Sequence, residues 1–221
     1  YAFCAGNPIR FIDRNGDSVV VSGSQQAAAF QQMQDFLGKE LSMSMSANGT
    51  IIASQKEGVK LSRAGRKAMK AFGSATITVN IVAENTKETS SGNLYVGGAF
   101  MGNTVNADGT VTARQEVNPE VLGAMSNAYG KPGQDMMHEV TEAYQGALIS
   151  QRSGVSSPIS NPPGSVYPDA HNIAIPQSGI VKEHYYNSAG KEVQTLSPAV
   201  VRSTYTVYPR RQQPVVIMRF P

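Results

Sequence analysis

Residues 110–150 read TVTARQEVNPEVLGAMSNAYGKPGQDMMHEVTEAYQGALIS, and this stretch decides the class of fold. Its first part, residues 110–117, follows an Asp-Gly turn and predicts a strand. Asn118-Pro119 then fits a helix cap followed by a first-turn proline, which predicts a helix through Tyr129. A second helix is predicted over residues 134–150, directly after a Pro-Gly pair. A strand joined to two helices indicates a fold that mixes both kinds of element.

Shorter elements extend this pattern in both directions. Residues 41–53 predict a hairpin, because two strand-like runs flank Asn48-Gly49, the favoured two-residue turn. Helix caps are predicted at Ser24 and at Ser62. Apolar runs within residues 180–218 predict further strands near the C-terminus. Together these elements predict an α+β fold with a mixed or antiparallel sheet and a few helices.

Composition excludes several classes of protein. The chain has 221 residues, of which 40% are hydrophobic and 16% charged, so we expect one large folded domain or a domain with an attached segment. A net charge of +3 is too mild to indicate a nucleic-acid partner. One cysteine excludes an internal disulfide and a cysteine-based zinc site. No run approaches the ~18 apolar residues of a membrane span, so no membrane-spanning helix is expected.

The helix over residues 134–150 carries the side chains with the most chemical potential. Its apolar residues share one side, and the polar residues share the opposite side: Asp135, His138, Glu139 and Glu142. His138 and Glu142 are four residues apart, so their side chains can converge on one point. In a His-Glu-x-x-His helix, two ligands one turn apart hold zinc and the intervening Glu activates the metal-bound water. Here a carboxylate, which is an acceptable zinc ligand, takes the second ligand position.

A third ligand must come from elsewhere in the chain, which has three histidines. His171 follows a Ser-, Pro- and Gly-rich loop over residues 152–169, which we expect to shape a cleft. A chain returning from that loop can close over the helix. His184 lies beside Glu183 in a strand-like run, which is typical of an exposed histidine. His171 is therefore the favoured third ligand, and His184 the alternative.

Other functions fit parts of the same pattern. Acidic residues in the first turns of a helix also suit the helix dipole, as on an exposed helix of a non-catalytic binding or interaction domain. A nuclease could use His138 and Glu139 as acid and base, although no concentrated basic groove accompanies them. An oxyanion donor could come from a tyrosine, the candidates being Tyr167, Tyr185 and Tyr186.

The N-terminal residues resemble a known family. Residues 1–21 read YAFCAGNPIRFIDRNGDSVVV, and residues 7–13 with Gly16 match the C-terminal end of the RHS-repeat-associated core, with Arg14 where that pattern usually has Pro. The resemblance implies that residues 1–23 are the end of such a core and that residues 24–221 are a bacterial toxin or effector tip. It also implies a secreted or cell-surface location and an immunity protein as partner.

The order of elements over residues 74–175 resembles a minimal zincin metallopeptidase with a His-Glu-x-x-Glu variant of the motif. The resemblance implies that His138, Glu142 and His171 are ligands of a zinc cofactor. It implies that Glu139 is the general base, which takes a proton from the zinc-bound water and later delivers it to the leaving amine. The activity implied is hydrolysis of peptide bonds in a protein or peptide substrate.

Overall fold

The computed structural model describes residues 18–160, 162–195 and 197–221. In chain order their elements are β1 (Val19–Ser22), α1 (Gln26–Leu37), β2 (Leu41–Met45), β3 (Ile51–Gln55), α2 (Arg63–Phe72), β4 (Ile77–Ala83), β5 (Gly98–Val105), β6 (Val111–Val117), α3 (Pro119–Ala128), α4 (Gln134–Ser153), α5 (Tyr167–Ile173), β7 (Val181–Tyr186), β8 (Glu192–Val193), β9 (Arg202–Val207) and β10 (Val215–Phe220). This is the predicted α+β fold. The segment that resembles an RHS core lies mostly in residues 1–17, outside the described residues.

The main sheet is mixed. Its strand order is β1-β4-β6-β5, with β1, β4 and β6 parallel and β5 antiparallel to β6. Side chains of β4 alternate between buried and half-buried positions, as expected for a strand with one face in the core. The antiparallel strand β5 is the last in the strand order and forms one edge of the sheet. Strand β1, at the other edge, places residues 19–22 within the same sheet as the later strands.

Helix α4 packs against β4, β5 and β6, and it also contacts each of the other four helices of the described residues. Its apolar residues Met136 and Val140 are fully buried. The polar residues are buried as well, with exposed fractions of 0% for Asp135 and 1% for His138. The polar side of this helix is therefore part of the interior and not a solvated acidic face.

Local side-chain caps account for the starts of two helices, α2 and α3. Ser62 accepts a hydrogen bond from the Gly65 amide at 3.0 Å, and the Asn118 side chain accepts one from the Val121 amide at 3.2 Å, so both predicted caps are confirmed. The cap predicted at Ser24 is wrong, because α1 begins one residue later, after Gln25. The Ser24 amide and hydroxyl instead both donate to Glu84. A tertiary carboxylate thus replaces the local capping contact.

The remaining strands form two antiparallel units. Strands β2 and β3 make the predicted hairpin, and β10-β9-β7-β8 make a four-stranded sheet near the C-terminus. This second sheet packs through β10 against α3, and Met218 and Phe220 of β10 are each 6% exposed. None of the helices in the described ranges combines the length and apolar character needed to span a bilayer.

Candidate metal centre

The structure brings together three side chains from two helices. His138 and Glu142 lie one turn apart on α4, and His171 lies on the short helix α5. Among the described residues, these three form a group of ligating side chains whose ligand atoms all lie within 4.8 Å of one another. They are the three residues that the sequence predicts as metal ligands.

Their ligand atoms have nearly equal separations. Nε2 of His138 lies 3.1 Å from Nδ1 of His171 and 3.3 Å from Oε2 of Glu142. Nδ1 of His171 lies 2.7 Å from the same carboxylate oxygen. Zinc bonds of ~2.0–2.1 Å at tetrahedral angles separate neighbouring ligand atoms by about 3.3–3.4 Å. Small shifts of the three side chains would therefore admit a tetrahedral zinc ion.

The segment that carries His171 is anchored to the rest of the molecule. Nζ of Lys67 on α2 donates to the carbonyl oxygens of Ile173 and Ala174, the latter at 2.9 Å, and these carbonyls lie at the end of α5. One residue further, the Ile175 amide donates to the Thr141 hydroxyl on α4 at 2.9 Å. These contacts hold α5 across the polar side of α4.

His138 has the orientation that a metal ligand requires. Its Nδ1 donates to the carbonyl oxygen of Ile175 at 2.5 Å. Metal-binding histidines commonly donate their second ring nitrogen in this way, since the hydrogen bond fixes the tautomer and the ring plane. Nε2 is therefore the atom that faces Glu142 and His171.

Burial and charge shift the pKa values of the cluster in different directions. Burial disfavours the imidazolium of His138, but the hydrogen bond with Glu142 and the nearby carboxylates outweigh it and raise its pKa to about 9. Burial likewise opposes ionisation of Glu142, yet the hydrogen bonds from His138 and His171 lower its pKa. Without a metal, the site thus holds a cationic imidazole against an ionised carboxylate.

Glu139 lies beside this cluster and does not contact either histidine through a hydrogen bond among the described residues. It is 5% exposed, and burial followed by the charge of Glu142 raises its pKa to about 8. Its carboxylate lies against Gly98 of β5, where the Cβ of any other residue would overlap it. A buried carboxyl next to this cluster, with its pKa raised toward neutrality, has the properties of a group that exchanges protons.

Gln115 of β6 links the two glutamates and was not predicted. Its Nε2 donates to Oε2 of Glu139 and, at 3.0 Å, to Oε1 of Glu142. The signal in the sequence is a polar residue on an otherwise apolar strand face, since Ala113 and Val117 on the same side are fully buried. The functional meaning of that signal depends on contacts with α4 that the sequence does not show.

A cleft opens beside the cluster along the edge strand β5. Its volume is about 220 Å³, and its lining contains no charged residue: Thr89, Ser91, Asn93, Leu94, Tyr95, Val96, Gly98, Ala99, Phe100, Met101, Ile159, Ser160 and Tyr167. Ile159 and Ser160 belong to the loop that the sequence predicts to shape a cleft. The ring of Tyr167 lies 5.4 Å from that of His171, centre to centre. Of the three candidate oxyanion donors, Tyr167 is thus at the site, whereas Tyr185 and Tyr186 lie on β7.

The third histidine lies in a separate environment. Nδ1 of His184 contacts Glu192 at 2.7 Å, and its Nε2 contacts the Tyr208 hydroxyl at 2.6 Å. Both nitrogens therefore have partners within the C-terminal sheet. His184 does not join the cluster of His138, Glu142 and His171.

Comparison with protein-family models, with curated proteins and with solved structures finds no match to this chain. The resemblances to RHS cores and to zincins therefore stay predictions from the residues that carry them.

Proposed function

We propose that this protein is a zinc-dependent metallopeptidase. The observation that carries the proposal is the convergence of His138, Glu142 and His171, with Glu139 and an uncharged cleft beside them. Two imidazoles and one carboxylate are a ligand set that zinc accepts, and three protein ligands leave a fourth position for water or substrate. Zinc held there supplies a Lewis acid that polarises the scissile carbonyl and lowers the pKa of a bound water.

Glu139 performs the proton transfers in this proposal. It accepts a proton as the water oxygen attacks the carbonyl carbon, and it donates that proton to the nitrogen as the carbon–nitrogen bond breaks. The products are a carboxylic acid and an amine, so the water is fully accounted for. Burial, followed by the charge of Glu142, raises the pKa of Glu139 to about 8 in the metal-free protein. The positive charge of zinc beside it would lower this pKa and favour the carboxylate that accepts the proton.

Tyr167 is the proposed donor to the oxygen of the reacting carbonyl. Burial, followed by the charges of Glu142 and Glu139, raises the pKa of its hydroxyl to about 12. The hydroxyl therefore keeps its proton throughout the neutral range and can donate a hydrogen bond to a developing oxyanion. Its place in the cleft lining, with its ring close to that of His171, supports this assignment.

The start of strand β5, at Gly98, provides a docking edge for an extended peptide. The Phe100 carbonyl accepts a hydrogen bond from the Ser160 amide at 3.2 Å, and the Asn103 amide donates to the Ser157 carbonyl at 3.0 Å. From Phe100 onward, the outward peptide groups are therefore already paired with the chain's own loop. Because strand residues alternate, the peptide groups of Gly98 point the same way, beside Glu139. A substrate strand can pair with the edge at Gly98, as in other cases of strand addition to a sheet.

We further propose, from the sequence resemblance of the N-terminal segment, that the domain is the toxin or effector tip of an RHS-type bacterial protein. This proposal carries a secreted or cell-surface location and an immunity protein as partner. The contacts of the site support hydrolysis as the activity of that tip.

The decisive test compares the wild-type chain with Glu139→Gln after each has been loaded with zinc. We expect wild type to cleave peptides in a mixed library of extended sequences, read by mass spectrometry, and Glu139→Gln to bind zinc without cleaving. His184→Ala serves as the matched control and should retain both properties. If the wild-type chain and both variants bind zinc but cleave no peptide, the metal is structural. Cleavage of RNA or DNA by the wild-type chain would favour the nuclease.

A further inference from the structure

Gln115 occupies an unusual place for a neutral polar side chain. It lies at the centre of the main sheet on β6, paired with Phe100 of the edge strand, and it is 0% exposed. Its neighbours on the same face are apolar residues of the core. A buried amide in such a position must satisfy its hydrogen bonds through specific partners or lose stability.

The amide nitrogen of Gln115 serves two carboxylates at once. It donates to Oε2 of Glu139 and to Oε1 of Glu142. Both partners are carboxylate oxygens, so the NH₂ side of the amide faces them, because the carbonyl side would meet two acceptors. The carbonyl oxygen of Gln115 is then left buried without a hydrogen-bond partner.

These contacts divide the oxygens of Glu142 between two tasks. Oε2 faces His138 and His171, at 3.3 and 2.7 Å. Oε1 is held by Gln115, so it is turned away from the point where the two imidazoles meet. Glu139 is restrained in the same way through one of its own oxygens.

We infer, on the basis of the proposed function, that Gln115 is a positioning residue that keeps one coordination position of the zinc open. It holds Glu142 as a ligand through a single oxygen and prevents Glu139 from becoming a fourth protein ligand. A site with four protein ligands is closed, as in structural zinc sites, whereas catalysis needs an open position. Gln115 thereby keeps Glu139 available as the base.

The test uses Gln115→Met, which has a similar length and lacks the amide. The matched control is Gln32→Met, since Gln32 also donates its amide nitrogen to one acceptor, Pro119, and leaves its carbonyl oxygen buried without a partner. Cobalt(II) replaces zinc as a spectroscopic probe, because its visible absorption weakens as its coordination number rises above four. Zinc affinity is measured by competition with a chelator, and kcat and KM with a cleaved peptide.

In Gln115→Met we expect weaker cobalt absorption, zinc affinity equal to or above that of wild type, and a kcat about 10- to 100-fold lower. A structural role alone would lower affinity and activity together. Gln32→Met should match wild type in all three readouts. If Gln115→Met does not fold, Gln115→Asn replaces it, because its shorter amide does not span both carboxylates.

An unchanged cobalt spectrum with unchanged kcat would overturn the inference, as would a parallel loss of affinity and activity. Failure of both variants to fold would also overturn it and assign Gln115 to stability. These outcomes differ from failure of the proposed function, in which the wild-type chain itself takes up no cobalt or zinc or cleaves no peptide.

Discussion

Nε2 of His138 lies 3.1 Å from Nδ1 of His171, although 33 positions separate the two residues in the chain. Both nitrogens also face Oε2 of Glu142. Three atoms with lone pairs approach this closely only when protons or a cation lie between them, since otherwise they repel one another. The arrangement is therefore stable as a protonated cluster or as a metal site.

Zinc uptake is the first prediction. We expect about one zinc per wild-type chain by elemental analysis, because the described residues contain one group of three ligands at tetrahedral spacing. Glu142→Ala and His171→Ala should each lose the metal, since two remaining ligands hold zinc weakly. His184→Ala should retain it, as His184 binds Glu192 and Tyr208 instead. Zinc retained in Glu142→Ala would remove that residue from the ligand set.

The pH dependence of zinc binding follows from His138. Its pKa is raised to about 9 in the metal-free protein, so zinc must displace a proton at neutral pH. Apparent zinc affinity should therefore rise with pH until about 9, with proton uptake by the buffer detected by calorimetry in buffers of different ionisation enthalpy. Affinity that does not change between neutral pH and pH 9 would contradict this assignment.

The metal-free protein should show the opposite trend in stability. Because the pKa of His138 is raised in the folded state, its contribution is present below its ordinary value of 6.5 and is lost as pH rises through about 9. Glu139 acts in the same direction between its ordinary value of 4.5 and about 8. Urea unfolding in the presence of a chelator should thus give a lower free energy of unfolding at pH 9 than at pH 6. Glu139→Gln should reduce that difference.

Gly98→Ala tests the position of the proposed base. The new Cβ would overlap the carboxylate of Glu139, so Glu139 must move, at a cost of about 1–3 kcal/mol for overpacking. We expect zinc content to be retained and peptide cleavage to fall strongly. Gly123→Ala is the control, because the three atoms nearest to its new Cβ belong to the Gln32 side chain and lie at 3.0 Å or more. Full activity in Gly98→Ala would show that catalysis does not depend on this position of Glu139.

Tyr167→Phe tests the proposed oxyanion donor. Removing one such donor commonly lowers kcat by about 10²–10³-fold. We expect a loss of that order with unchanged zinc content and little change in KM, measured on a single peptide substrate. Tyr185→Phe and Tyr186→Phe should behave as wild type, since both residues lie on β7. Equal effects in all three variants would point to a general loss of stability.

Much of the local structure was predictable because its causes are local. The hairpin turn at Asn48-Gly49 and the caps at Ser62 and Asn118 are set by residues within a few positions. The cap at Ser24 was predicted wrongly because Glu84, which is 60 positions away, offers its carboxylate to the Ser24 amide and hydroxyl. Local propensity therefore gave way where a tertiary partner competed for the same donors.

The amino-acid pattern alone places His138 and Glu142 on one side of a helix, because the helical period fixes which residues lie one turn apart. Packing in three dimensions buries this side, places His171 of α5 against it, and brings Gln115 of β6 to both glutamates. Those contacts depend on how distant segments pack, which no local pattern encodes. Helical periodicity thus pairs two candidate ligands on α4, and the packing of α5 against that helix adds the third.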